Sequence, residues 1–255
     1  MPWDFIVILA LLGLLVPWRG AVRIRQLLCQ ERLTTADRLA LYASTLAFQW
    51  LAAAITLWRA VSHHVTLRQL GLALPRPWLA VGIGTGLATL VVLNQFISLR
   101  RMARLPEDQR GLMGQIARKV MPQTTVERLG FVALVTTVAI CEEFLYRGFV
   151  QSIFQQAFVG SSIIGALFSA AFFSTAHLYQ GKRGLASTFI MGLIFSAARI
   201  LSGSLFPSIL AHFATDLSAG LAAPALLQQA ALATEAGQLV AVQGKRQAAD
   251  GDSSE

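Results

Sequence analysis

Charge is what this sequence has little of. Of its 255 residues only 13% are Asp, Glu, Lys or Arg, while 55% are hydrophobic. A soluble domain carries about twice that charged fraction, so a water-exposed globule is excluded. Cysteine is scarce as well. Cys29 and Cys141 are the two present, in neither CxxC nor zinc-ribbon spacing, which excludes a disulfide scaffold and argues against a thiol nucleophile. The first apolar run opens on Asp4 instead of a basic segment, and no small-residue cleavage site follows it. It therefore reads as an uncleaved first span, not a signal peptide. The His-Glu-x-x-His helix of soluble zinc proteases is missing. So is any internal repeat. The net charge of +8 forms no basic helix face interleaved with exposed aromatics, so nucleic acid is not an expected partner.

What is present is a series of long apolar runs, and a membrane span needs roughly 20 mostly apolar residues. The runs predict an all-α, polytopic transmembrane helical bundle of about seven spans, over 3–18, 39–58, 78–99, 129–150, 163–178, 185–201 and 205–221. Residues 19–38 read as a juxtamembrane amphipathic helix, 100–128 as a hydrophilic linker, and His63 and His64 as solvated loop residues. Gly82 and Gly86 predict a small-xxx-small packing edge on the third span. Ser202-Gly203-Ser204 breaks the last two spans apart, and Pro224 is expected to end the final helix. From Gly244 the chain is charged and small, and disorder is expected there. The resulting division is 1–128 for N-terminal spans with basic amphipathic linkers, 129–224 for a catalytic helical core, and 225–255 for a partly disordered tail.

Basic residues cluster unevenly between spans: five Lys/Arg in 19–38 and seven in 100–128, against three in 59–77. The positive-inside rule then places the first two segments in the cytoplasm and the N-terminus outside. The bilayer itself, with its anionic lipid surface, is the partner that this basic balance suits.

Ionisable residues inside a span cost at least about 2.5–3.5 kcal/mol each at a helix centre, so they persist where they pair, line a wet cavity or work. Here they concentrate in the last four runs, as Glu142-Glu143-x-x-x-Arg147-Gly148, Phe173-x-x-x-His177 and His212-x-x-x-Asp216. On an α-helix, positions four apart lie about 40° apart and positions five apart about 140°. Glu143 and Arg147 thus share a face, acid first, the favourable order for a pair. Glu142 points away and is free to face the bundle interior, where a carboxylate can act as a general base. The alternative is that all three form only a polar clamp between helices. His212 and Asp216 also share a face, so Asp216 can orient the imidazole. A carboxylate, two imidazoles and a second carboxylate on three helices suit a water-activating hydrolase, with or without a metal. Glu142, His177, His212 and Asp216 are also the residues that could hold zinc.

With these three motifs in order, and with the lead-in Arg199-Ile-Leu-Ser-Gly-Ser-Leu-Phe-Pro-Ser-Ile-Leu-Ala-His212, the stretch 129–222 resembles the CAAX-protease and bacteriocin-processing (CPBP) family of intramembrane proteases, which includes the type II CAAX prenyl endopeptidases. The resemblance implies a four-helix core and a water-mediated endopeptidase reaction inside the membrane. It implies that Glu142 and His177 activate the water, and that His212 and the residue four on bind the oxyanion or complete a metal site. Many members carry Asn where this chain has Asp216, and an ionised Asp cannot donate to an oxyanion. The implied substrate is a membrane-associated peptide or protein, prenylated and CAAX-like or bacteriocin-like, and the implied setting is a bacterial plasma membrane. Two other readings stay open: a non-enzymatic immunity or scaffold protein of the same family, and a proton-coupled transporter using Glu142 and the histidines as a relay. The intact motif set argues against the first, and the absence of repeats against the second.

Overall fold

In a computed structural model of the chain, residues 1–30 and 32–227 are described. They are helical throughout, with no strand among them. The helices are α1 (Trp3–Cys29), α2 (Thr35–Ser62), α3 (Pro77–Ala103), α4 (Gly111–Lys119), α5 (Thr125–Ala157), α6 (Ser162–Ala176), α7 (Gly181–Ser202) and α8 (Phe206–Leu227). Six of them are long and apolar enough to cross a membrane. The expected fifth span, α6, has 15 residues. At 1.5 Å per residue it reaches about 22 Å, short of a hydrocarbon core about 30 Å thick.

The basic stretch 19–38 is not one amphipathic helix. Arg19, Arg23 and Arg25 continue the first span without a break, and Arg38 lies in the first turn of α2. The reason is a capping box between them: Thr34 Oγ1 accepts the Asp37 N–H at 3.2 Å, and the Asp37 carboxylate accepts the Thr34 N–H at 2.9 Å. Helix α5 begins in the same way with Thr124 and Glu127. The two starts are clamped together, because Arg38 Nη1 donates to the fully buried Glu127 at 3.2 Å. Arg38 Nε also donates to the Lys119 carbonyl, and Tyr42 to that of Val120. The linker 100–128 is therefore tied down, and it holds the short helix α4.

Three further expectations change. Gly82 and Gly86 face open space, with nothing within 4 Å of where a Cβ would sit. The packing edge is Gly84, whose Cβ would lie 3.1 Å from the Pro207 backbone on α8. Two positions along a helix turn about 200°, so Gly84 is on the face opposite to both. His63 is no free loop residue: it and Arg59 both pair with the buried Asp4, at 3.0 and 2.6 Å, tying α1 to the end of α2. Helix α8 runs through Pro224 to Leu227, where Ala223 and Leu227 bury against Leu99 and Ala117. That tertiary contact outweighs proline's interior penalty. The expected break before α8 is present, made by Gly203 at φ 74°. The tail from Gly244 lies outside the described residues.

Candidate active site

The site is built on one distorted turn. Helix α5 widens into π-type turns over Glu143–Val150, and all eight residues there are buried. Such turns shift the register from i→i+4 to i→i+5 bonds and are frequent at functional sites. Their backbone is supported by hydroxyls: Ser169 of α6 donates to the Tyr146 carbonyl at 2.9 Å, and Ser152 to that of Gly148 at 2.6 Å.

Arg147, fully buried, donates from Nη1 to Glu143 Oε1 at 2.8 Å. Its Nε and Nη2 have no hydrogen-bond partner. They are covered by aromatic faces instead, with Cζ 4.0 Å from the Phe173 ring centroid and 5.3 Å from that of Phe195. A desolvated guanidinium over a ring gains about 2 kcal/mol per good contact. Gly192 of α7 makes room: a Cβ there would meet Ala170 at 2.9 Å and Arg147 Nη2 at 3.5 Å. The expected Glu143–Arg147 pair is thus present, but Glu143 has a second duty. The same Oε1 lies 2.9 Å from His212 Nδ1. A carboxylate accepts, so Nδ1 carries a proton, and Nε2 faces a second carboxylate, Asp216, at 3.5 Å from its Oδ2.

His177 caps the C-terminus of α6. Its Nδ1 lies 2.8 Å from the Phe173 carbonyl, which only accepts, so Nδ1–H is the donor and the Nε2 lone pair is left free. The Phe173 ring joins the pieces: its centroid is 4.6 Å from the His177 ring and 5.8 Å from that of His212. Glu142 is partly exposed. Gln49 Nε2, from the middle of α2, donates to its Oε1 at 2.9 Å, while its Oε2 has no partner. Asp216 keeps 35% of its side chain exposed and marks the wet end of the cluster.

The structure therefore brings Glu143, Arg147 and His212 into direct contact, adds Asp216 beside His212, and sets His177 against the shared Phe173 ring. Glu142 stands at the start of the same widened turn. Sequence reasoning passed over Gln49, a lone amide in an otherwise apolar run. A polar side chain inside a span usually hydrogen-bonds across helices, and that was the available signal. It also passed over Tyr179, whose ring lies 5.9 Å from that of His177 and whose oxygen accepts from Gln180, leaving the phenolic proton free to donate. Among the described residues no three His, Cys, Asp or Glu side chains converge as a metal site. The imidazole of His212 is already engaged by carboxylates on both nitrogens. The side chains as arranged do not fit a zinc ion held by Glu142, His177, His212 and Asp216.

Residues 124–218 match the family described as Type II CAAX prenyl endopeptidase Rce1-like. A protein of Escherichia coli, described as an uncharacterized 24.3 kDa protein, is 40% identical over 72 residues, which are 28% of this chain and 33% of that protein. The match thus spans about a third of that curated relative. No solved structure matches the chain. Glu142, Glu143, Arg147, His177, His212 and Asp216 all fall inside the matched segment, over which the chain is similar to the type II CAAX prenyl endopeptidase Rce1-like family.

Proposed function

We propose that this chain is an intramembrane endopeptidase of a bacterial plasma membrane, cleaving near the C-terminus of a membrane-associated peptide. The observation that carries the proposal is the state of Glu142: one carboxylate oxygen is held by Gln49, and the other is buried without a partner. A side chain fixed at one end and free at the other is what a general base requires. Glu142 takes a proton from a water that the His177 Nε2 lone pair helps to orient. The water oxygen attacks the scissile carbonyl carbon. His212, protonated on Nε2 as well as on Nδ1 between the Glu143 and Asp216 carboxylates, donates its Nε2–H to the oxyanion. As the intermediate collapses, the C–N bond breaks and Glu142 returns its proton to the leaving amine. No step is routed through a metal.

The setting supports a site open to the basic face. Exposed Trp3, Trp58 and Trp78 lie at the same end of α1, α2 and α3, as an interfacial belt does. Gln49 is nine residues inside Trp58, about 14 Å, which puts Glu142 near the midplane. His177 lies further on, about 22 Å from the start of α6. Because α6 stops short, water from the face carrying 19–38 and 100–128 reaches the imidazoles without crossing the whole bilayer. By the positive-inside rule that face is cytoplasmic. The substrate class is a bacteriocin-like or other membrane peptide, or a prenylated CAAX-like one where prenylated partners exist.

The test uses the purified full chain in nanodiscs against a library of membrane peptides, some farnesylated, beside Glu142→Ala, His212→Ala and Asp216→Asn, with and without chelator. Cleavage by wild type and none by Glu142→Ala is expected, with no effect of chelator. Equal product from wild type, Glu142→Ala and His212→Ala sinks the protease reading. Chelator-sensitive cleavage restored by zinc overturns the metal-free steps. A large loss in Asp216→Asn shows that the carboxylate itself is required.

A further inference from the structure

At the opposite end of the bundle, where α2 and α7 end and α6 begins, a half-open cavity of about 320 Å³ is bordered by Arg68, Gln69, Ser152, Gln155, Ser162 and Arg199. None of the residues lining it is acidic. Its floor holds a built cation. Arg199 is buried, 7% exposed, and its Nη2 donates to the Gln69 carbonyl and to Ser152 Oγ. Its Nε is buried without a partner, and among the described residues no carboxylate pairs with it. An unpaired buried charge costs several kcal/mol, roughly, unless something outside the chain compensates it. At the mouth stands Arg68, exposed. The wall includes the N-terminus of the 15-residue helix α6, where Ser161 Oγ accepts the Ile164 N–H, and where the first-turn N–H groups outside that cap and the helix dipole favour an anion.

We propose that this cavity binds a single phosphate group, with Arg199 beneath it, Arg68 closing over it and the start of α6 contributing backbone donors. Two sources share that chemistry: the headgroup phosphate of an anionic phospholipid and free inorganic phosphate. The cavity sits at the level of Trp58 and Trp78 and beside the outward-facing Ile200, which is where lipid headgroups lie. The site is separate from the cluster around Glu142 and does not depend on the protease reading.

The experiment has two arms on the purified full chain. In the first, native mass spectrometry is run on protein from micelles doped with phosphatidylglycerol or with phosphatidylcholine. In the second, thermal unfolding is followed against inorganic phosphate, with chloride at matched ionic strength as control. One phosphatidylglycerol retained per chain, or a phosphate-specific rise in melting temperature, supports the proposal and names the source. Arg68→Gln, an exposed change that leaves the fold intact, is expected to weaken that binding about tenfold, the loss of one charge-assisted hydrogen bond. Arg199→Gln is expected to abolish it. No preference for phosphatidylglycerol together with no phosphate-specific shift overturns the proposal, and so does binding that Arg68→Gln leaves undiminished.

Discussion

The sharpest test of the packing logic is to remove Arg147. This side chain is fully buried, pairs with Glu143 at 2.8 Å and is covered by the rings of Phe173 and Phe195. Arg147→Met keeps the apolar contact with those rings but leaves the Glu143 carboxylate, itself without exposure, stripped of its guanidinium, with His212 Nδ1 still at its Oε1. Stripping one member from a buried pair costs about 3–5 kcal/mol, and that is the expected destabilisation. Glu143→Gln is milder. The amide oxygen can still accept from the Arg147 guanidinium and from His212, so a bond between opposite charges becomes one between a charge and a neutral acceptor, at about 1–2 kcal/mol. If the orphaned charge is what makes Arg147→Met costly, the double variant has no such charge. Its cost then falls short of the sum by about 2 kcal/mol, within the usual range for contacting residues. Equilibrium unfolding of the four proteins in mixed micelles measures the cycle. A cost for Arg147→Met below about 1 kcal/mol, or strict additivity, refutes the reasoning, because either outcome means that Glu143 does not depend on Arg147 in the folded state.

Two further perturbations separate positioning from packing. Gln49→Leu removes the donor that holds Glu142 Oε1 at 2.9 Å while keeping an apolar side chain on α2. It is expected to lower kcat about tenfold, the worth of one lost hydrogen bond, with an unchanged unfolding midpoint and a changed pH profile of turnover; wild-type kcat in this variant removes Gln49 from the site. Gly84→Leu drives a side chain into the Pro207 backbone, 3.1 Å from the Cβ position, and is expected to cost about 1–3 kcal/mol by micelle unfolding. Gly82→Leu, facing open space, is expected to be neutral, and equal effects at the two positions contradict the helix register described above.

Much of the fold was legible because a bilayer enforces it. Apolar runs of span length must be helices, since no water is there to satisfy the backbone. That logic placed most of the helices and the break at 202–204. It failed where polar residues decide the boundary. The capping box at Thr34 and Asp37 cut the basic stretch 19–38 in two, and its Asp and Thr were read only as part of a charged segment. The choice between Gly82, Gly86 and Gly84 depends on which helix lies alongside, which spacing within one helix does not contain. The same holds for Asp4, Arg59 and His63, scattered over two helices and a loop end yet joined as one ion cluster.

The site shows the same limit from the other side. Helical spacing correctly paired Glu143 with Arg147 and set Glu142 apart, because both inferences concern a single helix. It stopped at the pair, since nothing within α5 says what approaches from α8. What approaches is His212, at 2.9 Å from the oxygen that already holds Arg147. The consequence is that the Arg147–Glu143 pair sets the position of the imidazole proposed to meet the oxyanion, by contacts that join α5 to α6, α7 and α8. Stability and chemistry are therefore coupled through one oxygen atom. Rearranging Glu143 is expected to shift His212 before it unfolds the chain, so the unfolding cycle above and the cleavage assay should rank the Glu143 and Arg147 variants differently.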